Sequence, residues 1–193
     1  MTSQRFNVVG AMALVCAATL LIARTSAQSL TKPEEFSAIY SNISNVGAVG
    51  ATPLTIRITR WTDAGEDEKL MSILRDKGND AFVRELQNAK AVGSIGTPQQ
   101  LPYDLRYARQ TPTEKGARRI ILMTDRPMAF AERTSSSLSK DYPVTWIELR
   151  LDANDRGEGS ISIATRLRLL GNVLGIEDLG NQPARLNEVK KIK

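Results

Sequence analysis

Histidine is absent from this chain of 193 residues, and cysteine occurs once, at Cys16. Without imidazole there is no histidine general base and no histidine metal ligand. Ser-His-Asp triads, Cys-His pairs, H-E-x-x-H zinc sites and histidine-ligated haem are therefore excluded. Cys16 sits inside an apolar N-terminal run, so a chain lacking that run has no thiolate nucleophile, zinc-thiolate site, cysteine-ligated iron–sulfur cluster or disulfide. Four options survive: carboxylate chemistry, Ser–Lys chemistry, oxygen-ligated cations and plain binding. No cofactor and no metal are expected.

Long apolar runs are equally scarce. The run over residues 8–23 is 16 residues long, short of the roughly 20 that a spanning helix needs. Arg5 precedes it, and Arg24 and the small residues Thr25, Ser26 and Ala27 follow it. A basic start, a short apolar centre and a small-residue end have the layout of a secretory signal peptide. The expected cut follows Ala27, which places the mature protein in the periplasm or outside the cell with no membrane span. Lipidation at Cys16 is disfavoured, because Val15 is bulky and the apolar run continues past the cysteine.

Removing residues 1–27 leaves 24 basic side chains against 21 acidic ones, a net charge of +3. That mild excess lacks the concentrated basic face of a nucleic-acid binder, and no nucleic-acid partner is expected. The remaining length suits one domain with its own core.

Residues 28–35 are polar and read as a leader, so the domain is expected over residues 36–193. Residues 36–43 alternate weakly, and residues 45–52 are loop-like. Leu54, Ile56 and Ile58 alternate with Thr55 and Arg57, a strand pattern. Asp63 with Glu66 has the spacing of a capping box. Leu70, Ile73 and Leu74 then follow at helical spacing, Gly78 suits a helix end, and Asn79 suits the cap of a second helix carrying Phe82, Val83 and Leu86. A helical hairpin is thus predicted over residues 63–90.

After it the pattern returns to strands. Residues 103–110 and 118–124 form one predicted hairpin, and residues 143–151 and 160–169 a second, around the loop 152–159. Two weaker arms are expected at 173–178 and 184–189. The fold class is α+β: an antiparallel sheet, sandwich or partial barrel, with a helical hairpin after an early strand that packs on the sheet or plugs it.

Several clusters invite a functional reading. Asp152, Asn154 and Asp155 begin like a calcium loop, but Arg156 and Ile163 stand where an EF-hand needs oxygen ligands, so a hairpin turn is expected. Asp104, Asp125, Glu148 and Asp152 are candidates for paired-carboxylate hydrolysis, or partners for strand arginines. Ser135, Ser136 and Ser137 with Lys140 lie in a polar loop without the rigid spacing a Ser–Lys dyad requires. Asn42 begins a glycosylation sequon without expected consequence. Arginine outnumbers lysine, 15 to 9, after residue 27. Its planar fork suits carboxylates and phosphates, and Arg106, Arg109, Arg119 and Arg126 are the candidate anion-binding set. The competing reading is cross-strand pairing with acids.

Residues 58–61 (Ile-Thr-Arg-Trp), 105–110 (Leu-Arg-Tyr-Ala-Arg-Gln), 118–127 (Arg-Arg-Ile-Ile-Leu-Met-Thr-Asp-Arg-Pro) and 147–151 (Ile-Glu-Leu-Arg-Leu) form a set. As a set they resemble a family of short exported bacterial proteins, acidobacterial in type and hypothetical in function. The resemblance implies export and a single domain, and it implies no activity, ligand or catalytic residue.

The expected role is therefore a non-catalytic domain that binds a small ligand or a protein partner. The alternatives are a carboxylate hydrolase acting on an extracytoplasmic polymer and a barrel carrying a small apolar ligand. Export should remove residues 1–27, and N-terminal sequencing of extracytoplasmic protein should begin at or near Gln28. A chain still starting at Met1 and held in the membrane would refute the signal assignment.

Overall fold

A computed structural model describes residues 32–41, 51–126, 128, 144–171, 173–177 and 183–193. The signal segment, Asn42 and the polar loop with Ser135 to Ser137 and Lys140 lie outside the described residues. The strands are β1 (Glu34–Ser41), β2 (Ala51–Ile58), β3 (Gly93–Gly96), β4 (Tyr103–Leu105), β5 (Tyr107–Pro112), β6 (Arg118–Thr124), β7 (Val144–Leu151), β8 (Arg156–Leu170), β9 (Val173–Glu177) and β10 (Ala184–Lys191). Two helices, α1 (Ala64–Lys77) and α2 (Asn79–Asn88), lie between β2 and β3. β1 starts at Glu34, two residues before the expected domain boundary.

The order β4-β3-β2-β1-β10-β8-β7-β6-β5 is antiparallel throughout. Its two ends are neighbours in the chain: β4 pairs with β3, and β5, one residue further on, pairs with β6. The Arg106 backbone N–H between them donates to the Met123 carbonyl at 2.8 Å. The sheet therefore wraps into a nearly closed, up-and-down barrel of eight staves, β4 and β5 sharing one. Of the two expected architectures, sandwich and partial barrel, this is the second.

Period-two alternation fills the barrel. Phe36, Leu54, Ile56, Ile120, Leu122, Ile147, Leu149 and Leu186 are almost wholly buried in one cluster. Eight staves enclose a bore that side chains can fill. Each such residue contributes about 1.5–3 kcal/mol by leaving water.

One barrel mouth is crossed by charge. Arg118 on β6 forms a forked pair with Glu34 on β1 at 2.7 and 3.3 Å. It also donates to Asp155 and Gln110, each at 2.8 Å, and its guanidinium lies 5.6 Å from the Phe36 ring centre. β1 and β6 are four staves apart either way round the eight, so the pair spans the bore. Burial alone would lower the Arg118 pKa, but Glu34 and Asp155 outweigh it and raise the value. The arginine stays charged.

The helical hairpin packs outside the barrel and does not plug it. Asp63 and Glu66 form the expected capping box. Gly78 turns the chain at φ 78°. It also stands at the cap of α2, where Asn79 was expected. Asn79 is instead the first residue of that helix, and its Oδ1 accepts from the Leu167 N–H at 3.0 Å. Leu70, Leu74, Phe82, Val83 and Leu86 bury Tyr107, Met123 and Trp146, one outer row across β5, β6 and β7. The Tyr107 hydroxyl donates to Asp67 Oδ1 at 2.6 Å, and Arg109 reaches Asp67 Oδ2 at 3.0 Å. Burial, then the bond to Asp67, pushes the Tyr107 pKa well up.

The sequence reading has arms at 143–151 and 160–169 around the loop 152–159; in the structure Leu151 faces Gly157, Ile147 faces Ile161 and Trp146 faces Ser162. The cause is a turn shorter than expected. Asp152 Oδ1 accepts from the N–H groups of Asn154 and Arg156, at 2.8 and 3.0 Å, an Asx-type closure. β8 therefore starts at Arg156, and its glycines join the ladder. A Cβ at Gly157 would lie 1.9 Å from the Arg150 carbonyl, so only glycine permits this approach. The arms at 173–178 and 184–189 likewise do not pair with each other. β9 pairs with β8, and β10 lies between β8 and β1.

Leu149 is fully buried inside the barrel, and Leu149→Ala should cost about 2–5 kcal/mol in a denaturant melt. Arg57, in an exposed pair with Glu35 at 2.9 Å, should lose less than about 1 kcal/mol as Arg57→Ala. The reverse order would mean that the inner face is misassigned.

Candidate binding groove on the outer wall

The helical hairpin covers the outer wall towards the Tyr107–Met123–Trp146 row and leaves the next rows of β7, β8 and β10 open. There a groove of about 570 Å³ is lined by Glu148, Arg150, Glu158, Ser160, Arg185 and Asn187, among others. Strand alternation explains the set: outward positions carry polar side chains wherever no helix lies over them. Glu148 faces Ser160 across β7 and β8, and Ser160 faces Arg185 across β8 and β10. Arg150 faces Glu158 in the adjoining row. β10 breaks register between Leu186 and Val189, and Glu188 takes φ 52° there. Such a bulge re-aims the side chains around it.

Glu148 organises this wall. It is 9% exposed and accepts from Arg119 at 2.6 Å and from Arg150 at 2.7 Å. Arg119 and Arg150 face each other directly across β6 and β7. Like charges so placed repel, and Glu148 offsets that repulsion by bridging them. Burial pushes the Glu148 pKa up. The hydrogen bonds from Arg119 and Arg150, and their charges, outweigh burial, so the net shift is downwards. Glu148 is therefore ionised at neutral pH and accepts hydrogen bonds without donating. A glycosidase acid needs the opposite, a carboxyl whose pKa is raised.

The expected anion-binding arginines fall into three places. Arg106, at the break between β4 and β5, lies 3.3 Å from Asp125 and 3.2 Å from Asp104, and it donates to the Ala89 carbonyl at 3.1 Å. Arg126 approaches the same Asp125 at 3.8 Å and lies 5.9 Å from the Tyr103 ring centre. Arg109 is held by Asp67 under the helices, and Arg119 by Glu148 beside the groove. The structure thus brings Arg106 and Arg126 together on one carboxylate and holds the other two on different ones. Glu148 pairs with Arg119 across β6 and β7, and Asp104 pairs with Arg106 two residues further along the chain. Asp152 closes its turn.

The groove's own cations, Arg150 and Arg185, are not among those four. Alternation marks both as outward, but their meeting depends on the β8–β10 register, which no local pattern reveals. Arg150 donates its Nε to Glu148, and its side chain is 72% exposed. Neither its terminal nitrogens nor the exposed Arg185 side chain has a partner among the described residues.

No family model, curated protein or solved structure matches this chain. Among the described residues, no helix is long and apolar enough to cross a membrane.

Glu148→Gln removes the bridging charge and should destabilise the fold by about 1–2 kcal/mol at pH 7, allowing for solvent around the arginines. The pH dependence follows from the sign of the shift. A carboxylate whose folded pKa is depressed stabilises the fold above its ordinary value of 4.5. That contribution fades as pH falls below this value, because the unfolded state takes up the proton first. Melting curves from pH 7 to pH 2 should show a smaller acid loss in Glu148→Gln than in wild type. Equal acid loss in both would remove Glu148 from this role.

Proposed function

We propose that the protein is an exported, non-catalytic binding domain, and that the groove over β7, β8 and β10 is its recognition surface for a small ligand. The observation that carries this reading is the contrast between the two faces of the barrel. The inner face is occupied by its own apolar side chains, and Arg118 and Glu34 cross one mouth. The outer groove is concave, polar and lined by two guanidinium groups with donors to spare. A carrier of apolar cargo uses the bore, which is filled here. A carboxylate hydrolase needs a protonated acid, whereas Glu148 is held ionised. Export to the periplasm or beyond rests on the layout of residues 1–27 and on the resemblance to exported bacterial proteins.

Native mass spectrometry of protein taken from the extracytoplasmic fraction tests this reading. The folded protein should carry a small molecule that denaturation releases. Ser160→Trp fills the groove from a half-buried outer-wall position and should abolish that adduct while leaving the circular dichroism spectrum unchanged. An apolar adduct retained by both proteins would favour the carrier. Bare mass in both would count against a resident small ligand.

A further inference from the structure

Resting on that groove, we infer that its ligand is a hydroxylated carboxylic acid, a sugar acid of the uronate type. The carboxylate is held by Arg150 and Arg185, and the hydroxyls are met by Ser160 and Asn187.

The charge count selects the anion. The lining itself is balanced, Arg150 and Arg185 against Glu148 and Glu158, and Arg119 beside the groove, bonded to Glu148, adds one positive charge. One carboxylate neutralises it, whereas a phosphate dianion overshoots. The donors select the same group. Arg150 is fixed through its Nε by Glu148 at 2.7 Å, and its side chain is 72% exposed, which leaves its terminal nitrogens available as a fork. A guanidinium meets a carboxylate through a forked, charge-assisted pair of hydrogen bonds. Glu148, itself bonded to Arg119 on its other oxygen, is a positioning residue for that fork. Arg185 lies one strand beyond, opposite Ser160.

The rest of the groove suits hydroxyls. The Ser160 hydroxyl has no partner among the described residues. Asn187 donates its Nδ2 to the Ser41 hydroxyl at 2.9 Å, which turns its amide oxygen into a held acceptor. Glu158 adds a second acceptor, exposed and opposite Arg150. No aromatic ring is among the residues lining the groove. Affinity therefore depends on the carboxylate, and a neutral sugar of the same shape is expected to be silent.

The test is an NMR titration of the mature protein with galacturonate, galactose and inorganic phosphate at matched ionic strength. Galacturonate should produce saturable shifts at Arg150, Ser160 and Arg185, galactose none, and phosphate weaker ones. Arg185→Gln and Arg150→Gln should each weaken galacturonate about tenfold or more, the loss expected for a charged hydrogen-bond pair. Glu158→Gln, which removes a negative charge near the anion, should leave it unchanged or tighter. Glu148→Gln should weaken galacturonate while its groove signals persist, because Arg150 loses its anchor. Equal binding of galactose, tighter binding of phosphate, or indifference to Arg185→Gln overturns the sugar-acid assignment. A groove-blocked adduct in native mass spectrometry alongside silence toward galacturonate sinks this assignment alone. An adduct that survives Ser160→Trp sinks the groove reading beneath it.

Discussion

The structure depends on one break in one stave. β4 and β5 run in line, but at Arg106 the chain leaves the ladder with β3 and enters the ladder with β6. A sheet whose two ends are adjacent in sequence has little choice but to curl round, and curling removes the long free edges that an open sheet would expose. Arg106 holds the break from both sides. Its backbone N–H bonds to β6, and its guanidinium bonds to the end of α2 and to Asp125 just beyond β6. Closure then dictates an apolar inside, because a bore of this width is filled by the inward side chains of its own staves.

The second constraint is that part of the wall is buried on both faces. β6 is buried from Ile120 to Thr124, and β7 is buried at every position but Arg150. Strands covered on both sides lose the clean alternation of a half-exposed sheet. Over Glu148 the cover is the Arg119 and Arg150 side chains; over Ile121, Met123, Val144 and Trp146 it is the helical hairpin, pinned by Asp67 to Tyr107 and Arg109. Its reach along the wall decides which outer residues stay wet, so the hairpin is also what delimits the groove.

Arginine plays three different parts on this frame. At the mouth, Arg118 is enclosed by Glu34, Asp155 and Gln110, with its nitrogens committed to partners within the protein. At the stave break, Arg106 joins segments distant in sequence. On the outer wall, Arg150 keeps one nitrogen on Glu148 and turns the others to water. The side chain is the same in each case, and burial and the number of nearby carboxylates set the difference.

The local elements were legible from sequence for local reasons. The capping box of Asp63 and Glu66, the turn at Gly78, the alternating set Leu54, Ile56 and Ile58, and the hairpin arms at 103–110 and 118–124 follow from side-chain spacing within a few residues. Closure was not legible, because it rests on a single residue of interruption that reads as continuous strand. Nor was the β7–β8 register, since Gly157 and Gly159 have the composition of a loop and enter the ladder only because β7 approaches too closely for a side chain. The groove stands furthest from the sequence. Glu148, Ser160 and Arg185 share a row only through two successive strand pairings, and those pairings come from packing across the whole barrel. By itself the sequence determined which side chains of a strand share a face, because period two is a property of each strand alone. Only the tertiary structure decided which outward side chains meet, because register is settled between strands by turns and close contacts that no single strand contains.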